Sequence, residues 1–164
     1  MSKVPSRGFS RDEFAARLAA VQSQMASQRM GALLLTTESD IFYFTGFLSQ
    51  FWQSPTRPWF VVIPAAGSPI AVIPEIGVNA MKSEFMTDIR SWASPHATDD
   101  GVSLLAETVL EVLAQSQSCT LGINKGRETQ IRMPMNDFES LMDRLRGSVA
   151  GLCVVDATPA IQAV

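Results

Sequence analysis

The sequence predicts a three-layer α/β/α domain built on a mixed sheet of five to six strands. Helical and strand patterns alternate along the 164 residues, an order typical of helices layered on both faces of a sheet. Residues 32–35 form an unbroken apolar run, which is the pattern of a strand buried on both faces. A short turn at 66–68 joins two further apolar runs. This connection predicts an antiparallel hairpin, so the sheet is expected to be mixed.

A helix is predicted directly after a flexible lead at residues 1–9. Ser10 and Glu13 have the spacing of a capping box, in which the serine hydroxyl accepts a hydrogen bond from the glutamate amide. Apolar residues then recur at helical spacing as far as about Met30. The predicted inward face consists of Phe14, Leu18, Val21 and Met25.

The stretch from Gly31 to Gly46 organises the rest of the chain. Gly31 is expected to end the first helix in a left-handed conformation, which costs glycine little. The buried strand at 32–35 follows. Ser39 or Asp40 is then expected to cap a short helix through its side-chain oxygen. An aromatic cluster at 42–44 and a terminal glycine complete a rigid support for the next loop.

The remaining pattern places strands and helices in alternation up to residue 156. The expected elements are strands at 59–63 and 70–73, a helix at 77–85, a strand at 88–92, a helix capped by Asp99 or Asp100, a strand at 119–124, a helix capped by Asn136 and a strand at 151–155. Thr158 as cap and Pro159 in the first turn then predict a new helix. We therefore expect a domain at 10–156, and at 157–164 the start of a linker helix to a missing C-terminal domain.

Composition excludes several classes of protein. The hydrophobic fraction of 46% and charged fraction of 18% are typical of a globular chain. The net charge of −3, without a cluster of Lys and Arg, argues against a nucleic-acid partner. No apolar run approaches the ~20 residues of a membrane span, and no signal peptide is recognised. Cys119 and Cys153 lie in apolar runs and are expected to be buried, reduced thiols, which predicts a cytoplasmic protein.

No catalytic or metal-binding residue is predicted within this chain. His96 is the only histidine, and in a polar loop it is expected to be solvated. Four aspartates were weighed as ligands of a nuclease-type metal pair: Asp88, Asp99, Asp100 and Asp156. Two of them are better explained as helix caps, and the other two lie at opposite ends of their strands. The segment 122–126 lacks the Gly-Lys-Ser/Thr ending of a phosphate-binding loop.

The loop at residues 47–58 is the candidate functional segment. Large aromatic residues and arginine are enriched at interface hot spots, and a guanidinium grips a carboxylate through two parallel hydrogen bonds. The candidate residues for a substrate entrance or interface are Phe51, Trp52, Arg57 and Trp59. The alternative is that Phe51 and Trp52 only cover the end of the sheet and that Arg57 is solvated.

Three segments resemble one family. Residues 39–47 resemble the s-d-I-x-Y-x-T-G-f segment of creatinase/prolidase N-terminal domains, which precede the pita-bread catalytic domain of M24 metallopeptidases. Arg57-Pro58 before an apolar strand is similar to the start of their second strand. Residues 155–159 resemble their junction with the catalytic domain. The resemblance covers nearly the whole chain.

The resemblance implies a fold with a ribonuclease H-like motif and no catalytic centre of its own. It implies that the parent is a homodimeric Xaa-Pro dipeptidase- or aminopeptidase P-like hydrolase, or a creatinase-like one. Two divalent ions (Mn, Co or Zn) would be held by the missing domain. Arg57 would help to hold the carboxylate of a peptide or small substrate in the partner's active site. The alternative is a free-standing binding or scaffold module, which the reading frame after Val164 would reveal.

Overall fold

The computed structural model describes residues 8–54 and 58–164. Six strands and six α-helices alternate in the described chain. The helices are α1 (Arg11–Ser27), α2 (Glu38–Thr45), α3 (Val78–Met81), α4 (Val102–Ala114), α5 (Met135–Ser148) and α6 (Thr158–Gln162). The strands are β1 (Ala32–Leu35), β2 (Phe60–Pro64), β3 (Ile70–Pro74), β4 (Asp88–Trp92), β5 (Thr120–Ile123) and β6 (Cys153–Asp156). Short 3₁₀ turns occupy Gln50–Gln53 and Glu75–Gly77.

The six strands form one mixed sheet in the order β4-β3-β2-β1-β5-β6. β2 is antiparallel to both β1 and β3, whereas the other three neighbouring pairs are parallel. The predicted hairpin and the mixed α/β sheet are therefore confirmed. Strand ends differ from the prediction by one or two residues.

Helices cover both faces of the sheet. The side chains of β1 contribute to a separate hydrophobic core on each face. Leu33 and Leu35 pack with α1, α6 and the aromatic residues that follow α2. Ala32 and Leu34 pack with α4 and α5 on the opposite face. All four residues of β1 are buried, which explains the unbroken apolar run in the sequence. The three-layer prediction is confirmed.

The first helix ends differently from the prediction. α1 stops at Ser27, and the residue with a left-handed backbone is Arg29, with a φ of 55°. Gly31 is needed for a different reason: a Cβ there would lie 2.2 Å from the carbonyl oxygen of Ser118. The glycine thus permits close packing of two chain segments rather than a turn. At the other end of α1, the predicted cap is confirmed, since the Glu13 amide donates to Ser10 Oγ at 3.2 Å.

Other helices also depart from the prediction. α4 begins at Val102 after Gly101, so neither Asp99 nor Asp100 is its cap residue, although Asp99 Oδ1 accepts from the Ser103 amide at 3.1 Å. α2 is capped by Thr37, not by Ser39 or Asp40, and its eight residues include the aromatic cluster. The predicted helix at 77–85 shortens to the four residues of α3. α5 begins after Pro134, so Asn136 lies inside the helix rather than at its cap. No side chain caps α3 or α5 by a hydrogen bond, so a search for capping residues could not give the bounds of these helices.

The two cysteines are the clearest error in the predicted burial. Both Cys119 and Cys153 are free and exposed. Cys119 precedes β5, and Cys153 opens β6, the outermost strand of the sheet. An apolar run at a sheet edge resembles a core strand in sequence, yet it leaves one side open to solvent. Separately, no helix within the described ranges is long and apolar enough to cross a membrane.

Candidate functional site

The candidate segment leaves α2 through a tightly bonded turn. Gly46 ends the helix with a φ of 69°, and its amide donates to the Phe42 carbonyl at 2.8 Å. The Thr45 hydroxyl donates to the Ile41 carbonyl at 2.6 Å and accepts from the Phe47 amide at 3.1 Å. The Thr-Gly pair therefore fixes the direction in which the chain enters the loop.

Three rings of the loop and the ring of Trp59, which follows it, form a cluster that we call the aromatic platform: Phe47, Phe51, Trp52 and Trp59. The ring centroids of Phe47 and Trp59 are 5.2 Å apart, and those of Trp52 and Trp59 are 6.0 Å apart. Trp59 is fully buried, and Trp52 is only 7% exposed. Gly77 makes room for this packing, because a Cβ there would lie 2.1 Å from the Trp59 ring. The segment thus rests on part of the hydrophobic core.

The predicted site residues consequently fall into two groups. Phe51, Trp52 and Trp59 come together in the platform, where they pack against the core. This is the covering role weighed as the alternative for Phe51 and Trp52, and a further role at an entrance stays a prediction. Arg57 lies outside the described residues, so its role also stays a prediction.

Arg132 also contacts the candidate segment, and nothing in the sequence indicated this role. Its guanidinium carbon lies 4.9 Å from the Trp52 ring centroid, a cation–π arrangement. Its Nη2 donates to the carbonyl of Trp52 at 3.3 Å and to that of Ser54. Its backbone amide donates to Thr36 Oγ1 at 2.9 Å. Arg132 therefore fastens the candidate segment to the carboxyl end of β1.

The electrostatic environment of Arg132 is that of a partly buried cation. Burial lowers the pKa of its guanidinium, and the negative charge of Glu38 partly offsets that effect. The side chain still carries its charge, because an arginine remains protonated under all ordinary conditions. Arg132 is separated from Trp52 by 80 positions, and no motif surrounds it in the sequence.

The carboxylates considered as metal ligands each bind a different partner within the domain. Asp88 pairs with Arg90 at 3.4 Å, and Asp100 Oδ1 accepts from Trp92 Nε1 at 2.8 Å. His96 is exposed. Among residues 8–54 and 58–164, no group of three or more His, Cys, Asp and Glu could hold a metal ion. The described residues therefore do not fit a two-metal centre.

Comparison with known sequences decides the family. The family model of the creatinase/prolidase N-terminal domain matches residues 17–164. The chain belongs to this family. Solved structures of such N-terminal domains share the fold of this chain. The N-terminal domain of Xaa-Pro dipeptidase from Lactobacillus brevis superposes with a TM-score of 0.64 at 18% identity, over 90% of this chain and 99% of that one.

Longer relatives share the same fold over part of their length. A prolidase from Thermococcus sibiricus superposes with a TM-score of 0.69 at 17% identity, over 92% of this chain and 36% of that one. The probable dipeptidase PepE of Mycobacterium bovis is 29% identical over 84 residues, which are 51% of this chain and 22% of that protein. The match thus spans about a fifth of this curated relative.

The turn between β6 and α6 is tightly hydrogen-bonded. Asp156 Oδ1 accepts from the amides of Thr158 at 3.0 Å and Lys125 at 3.2 Å. A hydrogen bond with the Thr158 side chain is the main cause that lowers the pKa of Asp156, and the bonds from the backbone amides of Thr158 and Lys125 lower it further. Thr158 is the first helical residue of α6 rather than its cap, and its hydroxyl accepts from the Gly126 amide at 3.1 Å. The assignment of 157–164 as a linker stays a prediction.

Proposed function

We propose that this creatinase/prolidase N-terminal domain serves dimerisation and shapes the entrance to the partner subunit's active site in an Xaa-Pro metallopeptidase. The observation that carries the proposal is the candidate segment. The backbone of its described part, residues 47–54, is held by the aromatic platform and by Arg132, while Leu48 on the same segment is 62% exposed. A rigid segment with an exposed apolar side chain is suited to contact another surface.

Arg57 would lie at the far end of this segment. It follows Ser54 by three positions and precedes the buried Pro58 and Trp59. The described residues on both sides, Ser54 and Pro58, are thus anchored. A guanidinium binds a carboxylate with two parallel hydrogen bonds, so the ligand proposed for Arg57 is the carboxylate of a peptide or other small substrate.

Bond cleavage would be the task of another domain. In this proposal the parent enzyme's two divalent ions are manganese, cobalt or zinc, and they are held outside this chain. The described residues offer no group fit to ligate them. The names of the relatives, a probable dipeptidase and a prolidase, support a dipeptide as the substrate of the parent.

The dimerisation part of the proposal is tested by Leu48→Glu in the parent enzyme. A buried charge at the interface is expected to raise the dimer dissociation constant at least about tenfold, measured by sedimentation equilibrium. Met135→Glu is the matched control, since Met135 is 70% exposed on α5, a helix that packs in a different core from the aromatic platform. Equal dissociation constants for the two variants would refute a dimer contact at Leu48.

The catalytic part is tested on this chain alone. With added Mn²⁺, we expect no hydrolysis of an Xaa-Pro dipeptide, because no described group of residues can hold the ion. The full-length parent, assayed in parallel, is the positive control. Measurable turnover by the 164-residue chain would contradict the division of labour between the domains.

A further inference from the structure

The strand order creates a crevice away from the candidate segment. β1 is followed along the chain by β2 on one side, whereas β5 is followed by β6 on the other side. β1 and β5 are themselves parallel neighbours. Chain connections therefore diverge at their carboxyl ends. In open α/β sheets, such a switch point is where ligands bind.

A polar cavity of about 350 Å³ occupies this position, and we call it the switch-point pocket. Thr37, Ser39 and Asp40 line it from the segment that follows β1. Asn124 and Glu128 line it from the segment that follows β5. The lining includes two carboxylates and neither lysine nor arginine. The pocket therefore favours a positively charged occupant.

Asn124 carries the strongest indication of a ligand. The residue is only 8% exposed, and its Nδ2 donates to Asp40 Oδ2 at 2.7 Å. This bond fixes the orientation of the amide, because the reverse orientation would set two acceptor oxygens against each other. Asn124 Oδ1 is buried and has no hydrogen-bond partner among the described residues. Buried polar atoms nearly always have a hydrogen-bond partner, so a bound ligand is expected to donate a hydrogen bond to Asn124 Oδ1.

Asp40 adds a second acceptor at the same place. Its Oδ2 accepts from the Thr37 hydroxyl at 2.6 Å as well as from Asn124. In the described chain, its other oxygen, Oδ1, takes no hydrogen bond. The pocket thus combines a fixed amide acceptor with a carboxylate whose position is set by two hydrogen bonds.

We propose that the switch-point pocket binds a small organic ammonium ion, whose N–H groups donate to Asn124 Oδ1 and Asp40 Oδ1. An ammonium supplies up to three donors and a positive charge, which matches acceptors and carboxylates without a cation beside them. A divalent metal is a poorer match, because in the described part of the chain no group of three or more His, Cys, Asp and Glu residues is placed to hold a metal ion. This site is independent of the function proposed for the candidate segment.

The test is a titration of the ¹⁵N-labelled chain followed by NMR. The probe is n-propylammonium chloride, and 1-propanol serves as its uncharged analogue. We expect saturable shifts of the Asn124 side-chain amide and the Asp40 backbone amide with the ammonium alone. Equal shifts with propanol, no shifts with either probe, or tighter binding of Mg²⁺ or Ca²⁺ would each overturn the proposal.

Two variants locate the site. Glu128→Gln removes an exposed carboxylate and is expected to weaken propylammonium binding about threefold. Glu84→Gln removes an exposed carboxylate elsewhere and is expected to leave the affinity unchanged. Asp40→Asn is expected to abolish binding, and if it fails to fold, Glu128→Gln decides alone. Equal affinities for Glu128→Gln and Glu84→Gln would overturn the assignment of the pocket.

Discussion

Two loop segments of this domain are held in opposite ways. The candidate segment at 47–54 rests on buried rings and is fastened by Arg132. The segment at 93–101 is held by carboxylates: Asp100 Oδ1 accepts from Trp92 Nε1 and from the His96 amide at 3.3 Å. Apolar burial is insensitive to pH, whereas carboxylate bonds depend on ionisation. The comparison predicts that acid weakens the bond from the Ser103 amide to Asp99 Oδ1 in the second segment and leaves the apolar packing of the candidate segment unaffected.

The largest effect is expected from Trp59→Ala, which removes the centre of the aromatic platform. Trp59 is fully buried, so the free energy of unfolding should fall by about 3–5 kcal/mol. Urea unfolding measures it. Trp59→Phe is the matched control: it keeps a ring and removes an indole N–H that has no partner among the described residues. It should cost clearly less. A loss below ~1 kcal/mol for Trp59→Ala would show that the platform does not support the segment.

An intermediate effect is expected from Arg132→Ala. The change leaves the carbonyls of Trp52 and Ser54 without their donor, at a cost of about 1–3 kcal/mol. Local opening should speed chymotrypsin cleavage after Trp52. Arg127→Ala, an exposed arginine in the same loop, is the control and should cleave at the rate of the unaltered chain. Equal cleavage rates for both variants would contradict the fastening role of Arg132.

The smallest effect concerns Asp99, within the second segment. Burial alone would raise its pKa, but hydrogen bonds from Ser103 and Val102 and the charge of Arg144 outweigh it, so the pKa is lowered from its ordinary value of 3.8. A carboxylate with a lowered pKa stabilises the fold above pH 3.8, and that contribution is lost as the pH falls through the folded-state pKa.

Asp99→Asn should therefore lower the free energy of unfolding at pH 7 by under ~1 kcal/mol. In acid, the difference in this free energy between the variant and the unaltered chain should become smaller. Urea unfolding at both pH values gives this difference. The cost of Trp59→Ala should stay the same at both. A pH-independent cost of Asp99→Asn would remove the contrast between the two segments.

Elements with strong periodicity were predictable from the sequence. β1 was recognised because all four of its residues are apolar, and the inward face of α1 because apolar residues recur at helical spacing. The hairpin followed from a turn too short for a crossover. Three residues of the aromatic platform, Phe51, Trp52 and Trp59, were singled out because large rings are enriched at interface hot spots, and their packing against the core is the alternative that was also predicted for Phe51 and Trp52.

Features that depend on distant contacts were not predictable. Arg132 meets Trp52 only after the sheet has formed, and nothing near it in sequence marks that contact. Gly31 was assigned a turn, yet it is required by the approach of Ser118. Cys153 was expected to be buried because strand order, and hence the exposed edge strand β6, cannot be read from local composition. Cys119 is exposed one residue before β5, an inner strand, so its exposure belongs to the strand's end rather than to the sheet edge.

The most direct test of the central claim is the effect of Arg57→Ala on kcat/KM of the parent enzyme. If the platform delivers this arginine to the partner's active site, loss of a charge-assisted bond should lower kcat/KM roughly 10- to 100-fold. The melting temperature should not change, and Arg11→Ala, at the exposed start of α1, should leave both quantities unchanged. An unaltered kcat/KM in Arg57→Ala would contradict the claim.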